Sequence, residues 1–257
     1  MPVVRIPRIF SLLTATAVVI GLAACAPERI PEASESPSPS ASSLPTPVEK
    51  TKSFFDKSQY SIDDPLSPWV INDKLRPLNP LQYAPPDMVR AQVRYISTPL
   101  MRPDAAAAIA TMFAAAVAEG AGEMQVQNSY RSYSTQVSTH QYWVNQLGQA
   151  GADTQSARPG YSEHQTGWTA DVAAYPSKCN IQQCFGQTPQ GMWLADNAWR
   201  FGFVIRYPEG KTDITGYIYE PWHIRYVGTS LATEMHETGI ETLEEFFGLP
   251  PAPDYAP

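Results

Sequence analysis

From Pro103 onward the chain carries a series of stretches whose apolar and polar positions predict defined elements. Pro103-Asp104 opens an alanine-rich run that continues to Glu119 and stops at Gly120. A capping signal, strong helix formers and a terminal glycine predict a helix there. Met124 to Ser129 alternates in the manner of a strand, and Ser134 to Leu147, closed by Gly148, predicts a second helix with Val137, Tyr142, Val144 and Leu147 on its buried side. Asp171-Val172-Ala173-Ala174 reads as a short strand, and Pro189 to Arg200, before Phe201-Gly202, as a third helix. β-Branched and aromatic enrichment predicts further strands at Phe203–Tyr207 and His223–Val227. Because strands and helices do not alternate regularly, an α+β class is expected rather than a doubly wound sheet.

The first part of the chain has a different pattern. Arg5 and Arg8 precede an uncharged run from Ile9 to Ala24, which reads as a signal peptide over 1–24. This run is shorter than the ~20 residues a bilayer-spanning helix needs. Its end, Leu22-Ala23-Ala24-Cys25, has the small residues before a cysteine that mark a bacterial lipoprotein, with Cys25 lipidated. That predicts an extracytoplasmic protein held to the membrane by its N-terminal lipid; ordinary secretion, with Cys25 incidental, is the other reading. Residues 25–50, dominated by Pro, Ser, Glu and Ala, are expected to be a disordered tether. In 51–99 Phe54, Phe55, Tyr60, Trp69 and Val70 stand among prolines, which suggests an irregular but ordered extension. The main domain is expected over 100–248 and a tail over 249–257.

The chain has three cysteines. With Cys25 carrying lipid, Cys179 and Cys184 remain as a pair within a polar loop, and in an exported protein they read as a local disulfide. Closing so short a loop contributes about 2 kcal/mol. The net charge of −7, with no basic cluster beyond the leader, argues against nucleic acid and against anionic lipid headgroups as partners.

Two blocks carry the chemistry: Ser162-Glu163-His164-Gln165-Thr166-Gly167-Trp168-Thr169-Ala170-Asp171 and Glu220-Pro221-Trp222-His223. Two imidazoles and one carboxylate make the usual ligand count of a catalytic zinc whose fourth position is open to water. Glu220 is then left over as a candidate general base, and the reading is a zinc hydrolase. Glu220 and His223 can face one metal only if the backbone turns between them, since positions i and i+3 on a straight strand point to opposite faces; Pro221 suits such a break.

Four collinear stretches resemble the VanY-type D-alanyl-D-alanine carboxypeptidases, zinc peptidases that share a fold with the hedgehog signalling domain. They are Tyr130 to Gln136, Ala157 to Gly167 with Asp171, Phe201 to Pro208, and Thr215 to Gly228. The resemblance implies a small antiparallel sheet flanked by helices, with Zn2+ held by His164, Asp171 and His223, and with Glu220 as catalytic base. Arg131 would be catalytic and substrate-binding, since a guanidinium grips a free carboxylate in a bidentate fork and can polarise a carbonyl. Gln136, Ser162 and Trp222 match substrate-contacting positions, and Tyr161 is a further candidate for the pocket wall. Ser129 stands where many relatives have glycine.

The implied activity is removal of terminal D-alanine from peptidoglycan stem peptides by a monomer. L,D-carboxypeptidase activity, cross-link endopeptidase activity and a non-catalytic zinc-containing wall-binding module are the alternatives. His140 and His236 read as ordinary helix residues, and Arg206 and Arg225 as structural ion-pair partners; Arg158 is another carboxylate binder in principle.

Overall fold

The computed structural model describes residues 55–256; the predicted leader, Cys25 and the tether lie outside them. The elements run β1 Val89–Arg90, β2 Leu100–Met101, α1 Pro103–Ala118, β3 Met124–Asn128, α2 Tyr133–Asp153, β4 Thr169–Ala174, α3 Pro189–Asn197, β5 Phe203–Ile205, α4 Thr212–Thr215, β6 His223–Tyr226, α5 Thr229–Thr238 and α6 Leu243–Phe247. β1 and β2 form a two-stranded sheet, and the central sheet has the order β3-β4-β6-β5 with every pair antiparallel. The architecture is the expected α+β one.

Period-two alternation divides the central sheet into two faces. Met124 and Val126 of β3, Ala170, Val172 and Ala174 of β4, and Ile224 of β6 enter one apolar core. The buried positions of α1, Ala105, Ile109, Met112, Phe113 and Ala116, follow the helical repeat and join the same core. The intervening residues Thr169, Asp171, His223 and Arg225 therefore share the opposite face. These four are also buried, so that face is covered by polar contacts rather than by water.

A second apolar cluster ties the N-terminal extension to the C-terminal helices: Trp69 and Ile71 pack with Val227, Leu231, Met235, Leu243 and Phe246. The Trp69 indole donates to Val227 O at 2.8 Å. Lys74, also buried, donates to Gly216 O at 2.7 Å and to Pro253 O at 3.0 Å. Residues after α6 lie against the body, with Ala252 fully buried.

The second helix departs from its sequence pattern. Val137, Tyr142 and Leu147 are 45, 57 and 45% exposed, whereas Gln136, His140, Ala152 and Asp153 are buried. The inward face of α2 packs on the Ser156–Ala157 segment, whose polar backbone and hydroxyl groups pair with Gln136 and His140, so amide and imidazole groups occupy it instead of aliphatic side chains. Gly148 breaks the regular helix at φ 72°, ψ 172°, and a further helical segment runs on to Asp153. The short helices α4 and α6 had no counterpart in the sequence reading, whereas α5 carries His236, which the sequence placed on a helix.

Candidate active site

Asp171 and His223 are Cα partners across β4 and β6. Side chains at such positions point to the same face, and their Oδ1 and Nδ1 atoms stand 3.2 Å apart. His164 enters from a short 3-10 turn, Glu163–Thr166, whose end is set by Gly167 in the left-handed region at φ 77°. Its Nε2 lies 3.4 Å from Asp171 Oδ2. Glu220 sits just before β6, where His223 N donates to Glu220 O at 3.1 Å across Pro221-Trp222. That turn swings the Glu220 carboxylate to 3.6 Å from His223 Nδ1.

One ligand atom from each of His164, Asp171 and His223 lies within 4.8 Å of the others, and all three residues are buried. Ligands at 2.0–2.1 Å from a tetrahedral zinc stand roughly 3.3 Å apart; Asp171 Oδ1 and His223 Nδ1 are 3.2 Å apart, and His164 Nε2 lies 3.4 Å from the other Asp171 oxygen, Oδ2. Asp171 Oδ1 is buried without a hydrogen-bond partner among the described residues. An orphaned carboxylate oxygen is costly unless something cationic meets it, so the donor set fits a zinc ion.

The surrounding contacts orient these donors. His164 Nδ1 meets Ser129 O at 2.7 Å, which directs Nε2 toward Asp171. The contact uses only the backbone of residue 129, so serine there is without consequence for it. Asn128 Nδ2 donates to Asp171 Oδ2 at 3.0 Å. His223 Nε2 faces Glu163 Oε2 at 3.6 Å, an ion-pair distance rather than a hydrogen bond.

Glu163 is fully buried and accepts from Arg206 Nε at 2.9 Å and Arg225 Nη1 at 2.7 Å. Arg206 also forks onto Glu244 at 2.6 and 3.0 Å. Burial alone would raise the Glu163 pKa, but the two guanidiniums and His223 hold it far below the ordinary carboxylate range. Arg206 and Arg225 are thus structural ion-pair partners, as expected.

Negative charge converges on His223. Burial disfavours the charged ring, yet the adjacent carboxylates of Asp171, Glu163 and Glu220 outweigh this and hold it at about 9. Burial lifts the Glu220 carboxyl to about 8; His223 and Arg131 pull it down and Asp171 pushes it up. Such a buried acidic environment favours any cation placed in it.

These residues open onto a cleft of about 630 Å³ that Arg131, Ser162, Trp222 and Glu220 line. Arg131 Nη1 donates to Gln136 Oε1 at 2.9 Å. Gln136 is wholly buried, and its amide nitrogen donates to Ala157 O at 2.6 Å, so it braces Arg131 from behind. Tyr161 lies edge-on to Tyr255 with ring centroids 5.0 Å apart, away from the cleft lining. His140 meets Ser156 O at 3.0 Å, His236 stacks on Trp199, and Arg158 forks onto Asp153. Cys179 and Cys184 are disulfide-bonded.

Residues 98–229 match the family model for VanY, D-alanyl-D-alanine carboxypeptidase. The chain belongs to this family. Among VanY-like relatives, the Bacillus subtilis protein YodJ is 41% identical over 173 residues, covering 65% of this chain and 63% of that protein. The chain thus spans somewhat less than two thirds of that relative's length. The structure of the LdcB LD-carboxypeptidase superposes with a TM-score of 0.66 at 39% identity, covering 72% of this chain and 87% of LdcB. A Zn(II) complex of a mutant of the vancomycin-resistance D,D-pentapeptidase VanY gives a TM-score of 0.59 at 29% identity, covering 69 and 97%.

Two site residues escaped the sequence reading. Asn128 carries no signal beyond its place at a strand end. Glu163 adjoins His164 within the motif, and two arginines in strand patterns needed a buried counter-charge, but the sequence does not say which acid supplies it.

Proposed function

We propose that this protein is a zinc-dependent carboxypeptidase that removes a terminal D-alanine from peptidoglycan stem peptides. The observation that carries the reading is the convergence of His164, Asp171 and His223 with a fourth group, Glu220, beside them and not needed as a ligand. Bound Zn2+ supplies Lewis acidity, which activates water and polarises a carbonyl.

The remaining work falls to the chain's own side chains. Glu220 takes a proton from the attacking water and delivers it to the departing amine. Its pKa of about 8 is set by burial, and a dication held by its neighbours would lower it from there, leaving it ionised and ready to accept. Arg131, braced by Gln136, receives the terminal carboxylate of the peptide in a bidentate fork. Ser162 and Trp222 border the bound terminal residue.

A second reading, L,D-carboxypeptidase activity, is supported by the higher TM-score and identity of LdcB relative to the VanY mutant. The two differ in the residue preceding the terminal D-alanine. The lipoprotein-like leader ending at Cys25 supports a location outside the cytoplasmic membrane, where such peptides are found.

The test is mass spectrometry of synthetic pentapeptide and tetrapeptide stems incubated with zinc-loaded protein, with and without a chelator. We expect chelator-sensitive loss of one D-alanine from at least one stem. Unchanged masses for both would overturn the proposal.

A further inference from the structure

The disulfide-bonded loop has a place in the molecule that local stabilisation does not account for. Ile181, Gln182 and Gln183 line the same cleft as Glu220, Arg131 and His164. We infer that the loop from Cys179 to Cys184 is a specificity element that contacts the peptide on the amino side of the scissile bond. The inference rests on the carboxypeptidase reading and extends it to a loop outside the four stretches that carry the resemblance.

The loop is rooted firmly and exposed at its tip. Cys179 packs against the main apolar core. Asn180 Nδ2 donates to Gln127 Oε1 at 2.9 Å, and Gln125 Nε2 donates to Ser177 Oγ at 2.9 Å, which fastens the approach to the loop onto β3. Ile181, by contrast, is 36% exposed at the cleft mouth. Both Cys179, at φ 54°, and Ile181, at φ 52°, adopt the left-handed region. That region is unfavourable for any residue but glycine, and most of all for a β-branched one. The sequence therefore places a large apolar side chain in a disfavoured backbone conformation within a covalently closed loop.

The chemistry of the tip indicates what it receives. No charged residue lies between Cys179 and Cys184. Among the described residues, neither Gln182 Nε2 nor Gln183 Nε2 donates a hydrogen bond, and Gln182 Oε1 meets only Cys184 Sγ, so both amide nitrogens can donate to a peptide backbone. An aliphatic side chain beside neutral amides matches an extended peptide with a methylene-rich side chain, and not a free carboxylate, which Arg131 takes further in. An exopeptidase encloses only the end of its substrate. The rest leaves through the mouth, past Ile181.

The test compares Ile181→Ala and the double variant Cys179→Ser/Cys184→Ser with the wild type, all zinc-loaded. Each is assayed on the stem peptide the wild type hydrolyses and on an acyl-dipeptide of its last two residues. We expect the ratio of kcat/KM for the stem to that for the acyl-dipeptide to fall roughly fivefold in each variant, with the loss in KM. Should Ile181→Ala fold with an unchanged melting midpoint and leave that ratio unaltered, the loop is structural only and the inference fails. A wild type that releases D-alanine from neither substrate instead removes the carboxypeptidase reading, and the loop's role with it.

Discussion

Asp171 and His223 lie directly opposite each other on the middle strands of the sheet, with Oδ1 and Nδ1 3.2 Å apart. Two residues separated by more than fifty positions are brought to ligand spacing by one strand register. A register slip of one residue in either strand would turn its side chain into the apolar core, so the proposed metal site depends on the pairing as much as on the residues themselves.

Loss of a donor should abolish metal binding. Asp171→Ala or His223→Ala is expected to reduce bound zinc from about one ion per chain to a small fraction of that, since a structural or catalytic zinc needs at least three protein donors. Metal analysis after dialysis measures this; retention of full zinc by both variants would exclude the assigned ligands.

Glu220→Gln is expected to retain zinc while turnover falls by ~10²–10⁴, the usual contribution of a positioned acid-base group. The informative measurement is kcat alongside metal content on one preparation. Wild-type turnover with bound zinc would dismiss Glu220 as the base.

Replacing Arg131 tests carboxylate recognition. Arg131→Lys retains the charge but loses the planar guanidinium that donates to Gln136 and that would fork onto the substrate carboxylate, and kcat/KM is expected to fall by ~10–100-fold. The same substitution should have little effect on a substrate whose terminal carboxyl is amidated, which is already a poor one.

Glu163→Gln should destabilise the fold. It leaves Arg206 with Glu244 alone and removes the carboxylate facing Arg225, a buried break of about 3–5 kcal/mol. Denaturant midpoints will measure it. Because Glu163 also faces His223, zinc affinity should drop by ~10–100-fold in any folded fraction.

Asp153 provides a pH dependence distant from the metal site. Burial would raise its pKa, but hydrogen bonds from Arg158 and Gln149 win and lower it below 3.8. A carboxylate with a lowered folded-state pKa stabilises the fold above its unfolded value and ceases to do so as pH falls through the folded one. The stability difference between wild type and Asp153→Asn should therefore be constant near neutrality and shrink as pH falls below about 4. Urea midpoints across that range will follow it, and a gap that widens on acidification would contradict the assignment.

Strand and helix patterns were readable where one face alone is apolar, as in β3, β4, β6 and α1. The pattern misled at α2, because Val137, Tyr142 and Leu147 suggested a buried stripe where the protein buries Gln136 and His140 instead. A helix beside a polar cleft obeys hydrogen-bond satisfaction before hydrophobicity, and no periodicity measure registers that.

His164, Asp171, His223, Glu220 and Arg131, which the structure places around one cleft, could be named as candidates from their order along the chain, because each is a residue type whose chemistry is intrinsic: imidazole, carboxylate, guanidinium. Glu163, Asn128 and the tip of the disulfide loop were not, because their importance lies in what faces them. Glu163 matters through two arginines and a histidine that arrive from distant strands. Ile181 matters through a backbone conformation that sets it at the mouth of a cleft. Local sequence specifies which groups can react; which of them meet, and what buried charge each must balance, follows from strand register and long-range packing, since those relations exist only once the chain has closed on itself.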